Sequence, residues 1–107
     1  MARFVEVARV QDVPPGTATV ARVDDVEIAL VNVQGTFYAV DNECTHRGGS
    51  LGEGEINTDW SDWAIECPLH GSVFDVRTGD VVNPPAPTPV RTYAVELEGD
   101  IVMVSTE

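Results

Sequence analysis

The sequence predicts an all-β protein of short antiparallel strands, and three observations carry that expectation. Valine-rich stretches alternate with polar residues along most of the chain, as in Phe4-Val5-Glu6-Val7-Ala8-Arg9-Val10. Turn residues punctuate the stretches at short intervals, at Asp24-Asp25, Gln34-Gly35, Arg77-Thr78-Gly79 and Glu98-Gly99-Asp100. No segment sustains the 3.6-residue apolar period of a surface helix. A chain of 107 residues makes one domain with a modest core, too small for a substrate domain beside a cofactor domain.

Taken in order, residues 4–10 read as a strand that breaks at Asp12-Val13-Pro14-Pro15-Gly16. Residues 17–23 and 26–33 flank Asp24-Asp25 as a hairpin, and Gln34-Gly35 turns the chain into Thr36-Phe37-Tyr38-Ala39-Val40. Such a meander has apolar faces that need a second sheet. Polar residues dominate from Asp41, and 50–56 reads as irregular chain with one short strand. Trp63-Ala64-Ile65-Glu66-Cys67 alternates again, with Trp63 expected in the core, and 72–76 and 80–82 form a hairpin around Arg77-Thr78-Gly79. Residues 83–90 hold four prolines, which favour extended chain and exclude a central strand. A closing hairpin of 91–97 and 101–104 follows.

Every cysteine and histidine of the chain falls in two short segments, Cys44-Thr45-His46 and Cys67-Pro68-Leu69-His70. Thiolate and imidazole select iron-sulfur, zinc or copper over hard cations. Each segment supplies one ligand of each kind, with glycines Gly48, Gly49 and Gly71 close by to allow tight backbone beside a metal. A two-iron cluster with two thiolates on one iron and two imidazoles on the other needs this arrangement twice. The rival is structural zinc, an interaction module in function, but zinc sites usually pair like ligands, as C-x2-C and H-x3-H.

The motifs C-x-H and C-P-L-H-G resemble those of the Rieske family, over about Asn42 to Val90. The resemblance implies a Rieske fold: an antiparallel β-barrel or sandwich base from about residues 1–40 and 91–107, carrying an inserted cluster-binding subdomain at about 41–90. It implies one [2Fe-2S] cluster, with Cys44 and Cys67 on one iron and His46 and His70 on the other. The twenty residues between His46 and Cys67 exceed the gap that the resemblance leads one to expect, and the surplus is placed in residues 57–62. Two ferric ions, two sulfides and two thiolates sum to zero charge, so an added electron costs less than at a four-thiolate site. High-potential members carry a further cysteine in each loop, where this chain has Gly49 and Leu69, and a tyrosine where it has Phe74; the hydroxyl at Ser72 is retained. The potential is therefore expected toward the negative end of the roughly -150 to +300 mV Rieske span. Pro68, Leu69 and residues 84–89 are expected to cover the cluster, with plain loop stiffening the equal alternative for any single proline. Arg47 reads by default as a solvated surface arginine, with a place on the docking face as the alternative, and Trp60 is a candidate partner contact in the lengthened loop. The midpoint is expected to fall at alkaline pH if the imidazoles reach solvent.

Eighteen acidic residues against six arginines and no lysine, a net charge of -12, argue against phosphate contacts with nucleic acid; the acidity suits a basic partner and equally suits solubility alone. No apolar run is long enough to span a membrane, and residues 1–6 show no export signal, so a soluble, cytoplasmic protein is expected. An oxygenase at non-haem iron needs two further histidines and a carboxylate, and both histidines are already used. No G-x-G-x-x-G nucleotide fingerprint is present. The reading is a one-electron carrier and not an enzyme: a Rieske ferredoxin resembling those that take electrons from an NAD(P)H-dependent flavoprotein reductase and deliver them to a terminal non-haem iron oxygenase in aromatic-ring dioxygenase systems. Small Rieske subunits of nitrite reductases or of iron-sulfur assembly systems are the alternative.

Overall fold

The valine-rich stretches pair as their turns dictate. The structure, a computed structural model, describes residues 3–45, 48–69 and 71–106. Among these the strands are β1 (Val5–Arg9), β2 (Ala18–Val23), β3 (Val26–Val33), β4 (Thr36–Asp41), β5 (Glu55–Ile56), β6 (Ala64–Glu66), β7 (Val73–Asp75), β8 (Val81–Asn83), β9 (Thr92–Glu98) and β10 (Ile101–Ser105). All pairings are antiparallel. Six strands make one sheet in the order β1-β10-β9-β4-β3-β2, and four make a second in the order β5-β6-β7-β8. The edge strands β1 and β2 approach each other, so the larger sheet curls toward a barrel.

The expected hairpins form with small changes. Val23 pairs with Val26 across Asp24-Asp25, and Gln34-Gly35 turns with both residues at positive φ (53° and 95°). The last connection is Gly99-Asp100 alone, because Glu98 still pairs with Ile101. The strand expected over 63–67 is shorter, since β6 covers Ala64–Glu66. Two single 3-10 turns, Val10–Asp12 and Leu51–Glu53, have no signature in the sequence, because three residues carry no periodicity.

The sequence V-E-I-A-L-V-N-V of β3 is nearly continuous in apolar residues, and its burial on both faces explains why. Ile28 and Leu30 point into a core with Val13, Val23, Phe37, Ala39, Val102 and Val104, inside the curled sheet. Ala29, Val31 and Val33 point the other way, into a second core shared with Leu51, Ile65, Phe74, Val76, Ala86 and Val90. Each fully buried Val, Leu or Ile contributes roughly 1.5–3 kcal/mol. The second core is the junction of the two sheets, and both cysteines belong to it.

Candidate metal centre

Cys44 and Cys67 open two loops built on one hydrogen-bond scheme. Cys44 N–H donates to the Gly49 carbonyl at 2.7 Å, and Gly48 N–H donates back to the Cys44 carbonyl at 3.0 Å. Cys67 N–H donates to the Ser72 carbonyl at 2.7 Å, and Gly71 N–H to the Cys67 carbonyl at 3.1 Å. The fourth residue after each cysteine is thus a left-handed glycine, Gly48 at φ 72° and Gly71 at φ 75°. A side chain with Cβ would strain either turn.

Both cysteines are 2% exposed and neither forms a disulfide. Their sulfurs stand on the apolar junction core, with the third glycine closing the space between the loops. A Cβ at Gly49 would stand 2.4 Å from Cys67 Sγ, so only a glycine lets loop 44–49 meet loop 67–72. Ser72 is fully buried, and its Oγ accepts from Ala86 N–H at 3.0 Å. Its own proton has no acceptor among the described residues, so it remains available to an acceptor at the site. Soft donors from two equivalent loops, an apolar floor and a spare buried hydroxyl fit an iron-sulfur group.

His46, His70 and Arg47, three of the residues singled out by sequence, lie outside the described residues. Leu69 and Pro68 are at the surface, Leu69 being 57% exposed, yet Leu69 Cγ and Cδ1 would each be 3.3 Å from a Cβ at Gly49. Trp60 is 48% exposed in its turn. Trp63 is half-buried rather than enclosed: it packs on the junction core with Arg77 stacked 3.9 Å over its ring.

Residues 83–90 form a strap fastened to both loops. Asn83 Nδ2 donates to the Gly71 carbonyl at 3.2 Å, Ala86 N–H reaches Ser72, and Thr45 Oγ1 donates to the Thr88 carbonyl at 2.6 Å. Ala86 and Val90 face inward while the prolines face solvent. Asn42 does comparable work at the neck of the first loop. Its Oδ1 accepts from Gly52 N–H at 2.7 Å, its Nδ2 donates to Ser50 Oγ at 3.0 Å, and its carbonyl accepts from Leu51 N–H at 2.8 Å. Neither Asn42 nor Thr45 stood out by sequence, because a polar residue at a strand end reads as turn chemistry. Only the cysteine two residues on hints at a latch.

The Rieske [2Fe-2S] domain model matches residues 3–94. The biphenyl dioxygenase ferredoxin subunit of Pseudomonas sp. (strain KKS102) is 39% identical over 102 residues, covering 94% of this chain and 90% of that protein. The ferredoxin of carbazole 1,9a-dioxygenase from Nocardioides aromaticivorans IC177 superposes with a TM-score of 0.89 at 36% identity, covering 97% of this chain and 98% of that one. A complex of reduced oxygenase and oxidized ferredoxin in carbazole 1,9a-dioxygenase contains a chain matching at TM-score 0.86 and 34% identity, with 97% and 94% covered. Buried thiols in matched loops and relatives of this kind lead to one assignment: the chain belongs to the Rieske [2Fe-2S] family, as a single-cluster electron carrier of ferredoxin type rather than a catalytic enzyme.

Proposed function

We propose that Cys44 and Cys67 hold one iron and His46 and His70 the other, and that the chain passes single electrons from an NAD(P)H-dependent flavoprotein reductase to the terminal oxygenase of an aromatic-ring dioxygenase system. The observation that carries this reading is the shared scheme of the two loops, each opening on a buried cysteine with a histidine two or three residues later in sequence. Bound there, the cluster supplies a one-electron couple. Residues 41–90 act as the cluster-binding part on a base of 1–40 and 91–107, and the division of strands between two sheets supports that boundary.

The protein's own work is to seat and shield. The junction core keeps water from the cysteine side, and the buried Ser72 hydroxyl would donate its proton to the bound cluster. Phe74 is fully buried and brings no hydroxyl, so a second donor is missing. The midpoint should therefore lie below zero on the hydrogen scale, within the roughly -150 to +300 mV Rieske span; protein-film voltammetry reading well above zero would contradict this. The acceptor is argued from relatives named as dioxygenase ferredoxins and from the oxygenase and ferredoxin complex. Reconstitution with a flavoprotein reductase and a ring-hydroxylating oxygenase tests the whole reading. Substrate turnover that requires this chain supports it; a colourless, zinc-containing protein would end it.

A further inference from the structure

Leu69 occupies an unusual position for a leucine. It stands between the proposed ligands Cys67 and His70 and is 57% exposed, so it adds little to the core. Its inner atoms nevertheless border the space beside Gly49 of the other loop: Cγ and Cδ1 are each 3.3 Å from where a Cβ at Gly49 would stand, and Cys67 Sγ is 2.4 Å from that point. Backbone of one loop, sulfur of the other and the Leu69 side chain thus meet at one place. No disulfide joins the cysteines there.

We propose that Leu69 is a positioning residue: seated on Gly49, it braces the two cysteine-bearing loops against each other and holds Cys67 Sγ in its binding position. Dispersion contact requires near-touching atoms, and a gap of about 0.5–1 Å already forfeits a quarter to a half of it. Alanine at 69 would remove the brace, a charged residue would turn to water, and methionine would keep apolar reach. The inference rests on the four-ligand reading above, and the experiment separates the two.

The test uses intact holoprotein carrying Leu69→Ala, Leu69→Met or Gly49→Ala, and the Gly49→Ala/Leu69→Ala double variant. Leu69→Ala should keep the wild-type far-UV spectrum. Its visible absorption should bleach roughly three- to tenfold faster with chelator, in line with the coupling of residues in contact, and the g values of the reduced protein should shift. Leu69→Met should restore both. Gly49→Ala must displace Cys67 Sγ and should perturb the paramagnetic signal more strongly, and the double variant should show less than the sum of the single effects. A Leu69→Ala protein with wild-type g values and bleaching rate overturns the proposal. If Gly49→Ala yields no holoprotein, the comparison of Leu69→Ala with Leu69→Met decides alone. Wild-type protein without a reduced [2Fe-2S] signal would instead overturn the ligand reading.

Discussion

Tyr93 on β9 is half-buried and donates its phenolic proton to Asp41 at the end of β4, just before the first cysteine loop. Burial, and then that carboxylate, push its pKa up to about 12 from an ordinary 10. In the window between those values the unfolded chain loses the proton and the folded chain keeps it. The contribution is therefore complete below about pH 10 and is lost as pH rises toward 12. Urea midpoints measured from pH 8 to 12 should fall less steeply for Tyr93→Phe than for wild type; parallel slopes would refute the assignment. Asp75 has the opposite sign. The Arg77 guanidinium bound to it lowers its pKa, so its contribution is present above the ordinary carboxylate range and is lost as pH falls.

Among the elements, the turn before β6 carries the plainest expectation. Asn57 Oδ1 accepts from Asp59 N–H at 3.0 Å, its carbonyl accepts from Trp60 N–H at 3.1 Å, and its Nδ2 donates to Glu66 Oε1 at 2.8 Å. Trp60 is thus presented from a fixed turn with half of its surface in solvent, the kind of aromatic side chain that anchors interfaces. Trp60→Ala should weaken a partner complex by about 1–2 kcal/mol, roughly five- to thirtyfold in Kd, with no change in Tm. Unchanged electron-transfer kinetics would leave Trp60 without a role in docking. The turn's position was legible in the sequence as surplus length between the motifs. Its hydrogen bonds were not, since they depend on β6 lying alongside.

Charge acts over the whole molecule. Arg3, Arg9, Arg22 and Arg77 pair with carboxylates, and six arginines in the whole sequence cannot neutralise eighteen acidic side chains. Carboxylates also gather near the cysteine loops: Asp41 and Glu43 line a groove that includes Thr45, and Glu53, Asp59 and Glu66 line one that includes Pro68. Paired surface charges add at most about 1 kcal/mol each to stability, so the larger effect of this field is on encounter. The association rate with the proposed reductase or oxygenase should fall by about tenfold or more from low salt to 0.5 M salt, as the screening length shrinks from ~30 Å at 0.01 M toward ~3 Å at 1 M. A stopped-flow rate insensitive to salt would mean that the acidity serves solubility alone.

The sequence by itself determined the strand content, the hairpins and the two cysteine-histidine motifs. These are local: two-residue turns, alternating valines and ligand types are all written within a few neighbouring positions. Even the burial of β3 on both faces was recorded in its continuous apolar run. Only the tertiary structure decided what holds the motifs together. Gly49 reads in the sequence as one of several permissive glycines, but it proves necessary because Cys67 Sγ, eighteen positions away, occupies the space its side chain would need. Ser72, Asn42 and Thr45 read as ordinary polar loop residues until the strap and the loop neck close on them. Whether a side chain is buried, and which distant atom it meets, is a property of the packed chain and leaves no mark on the residue itself.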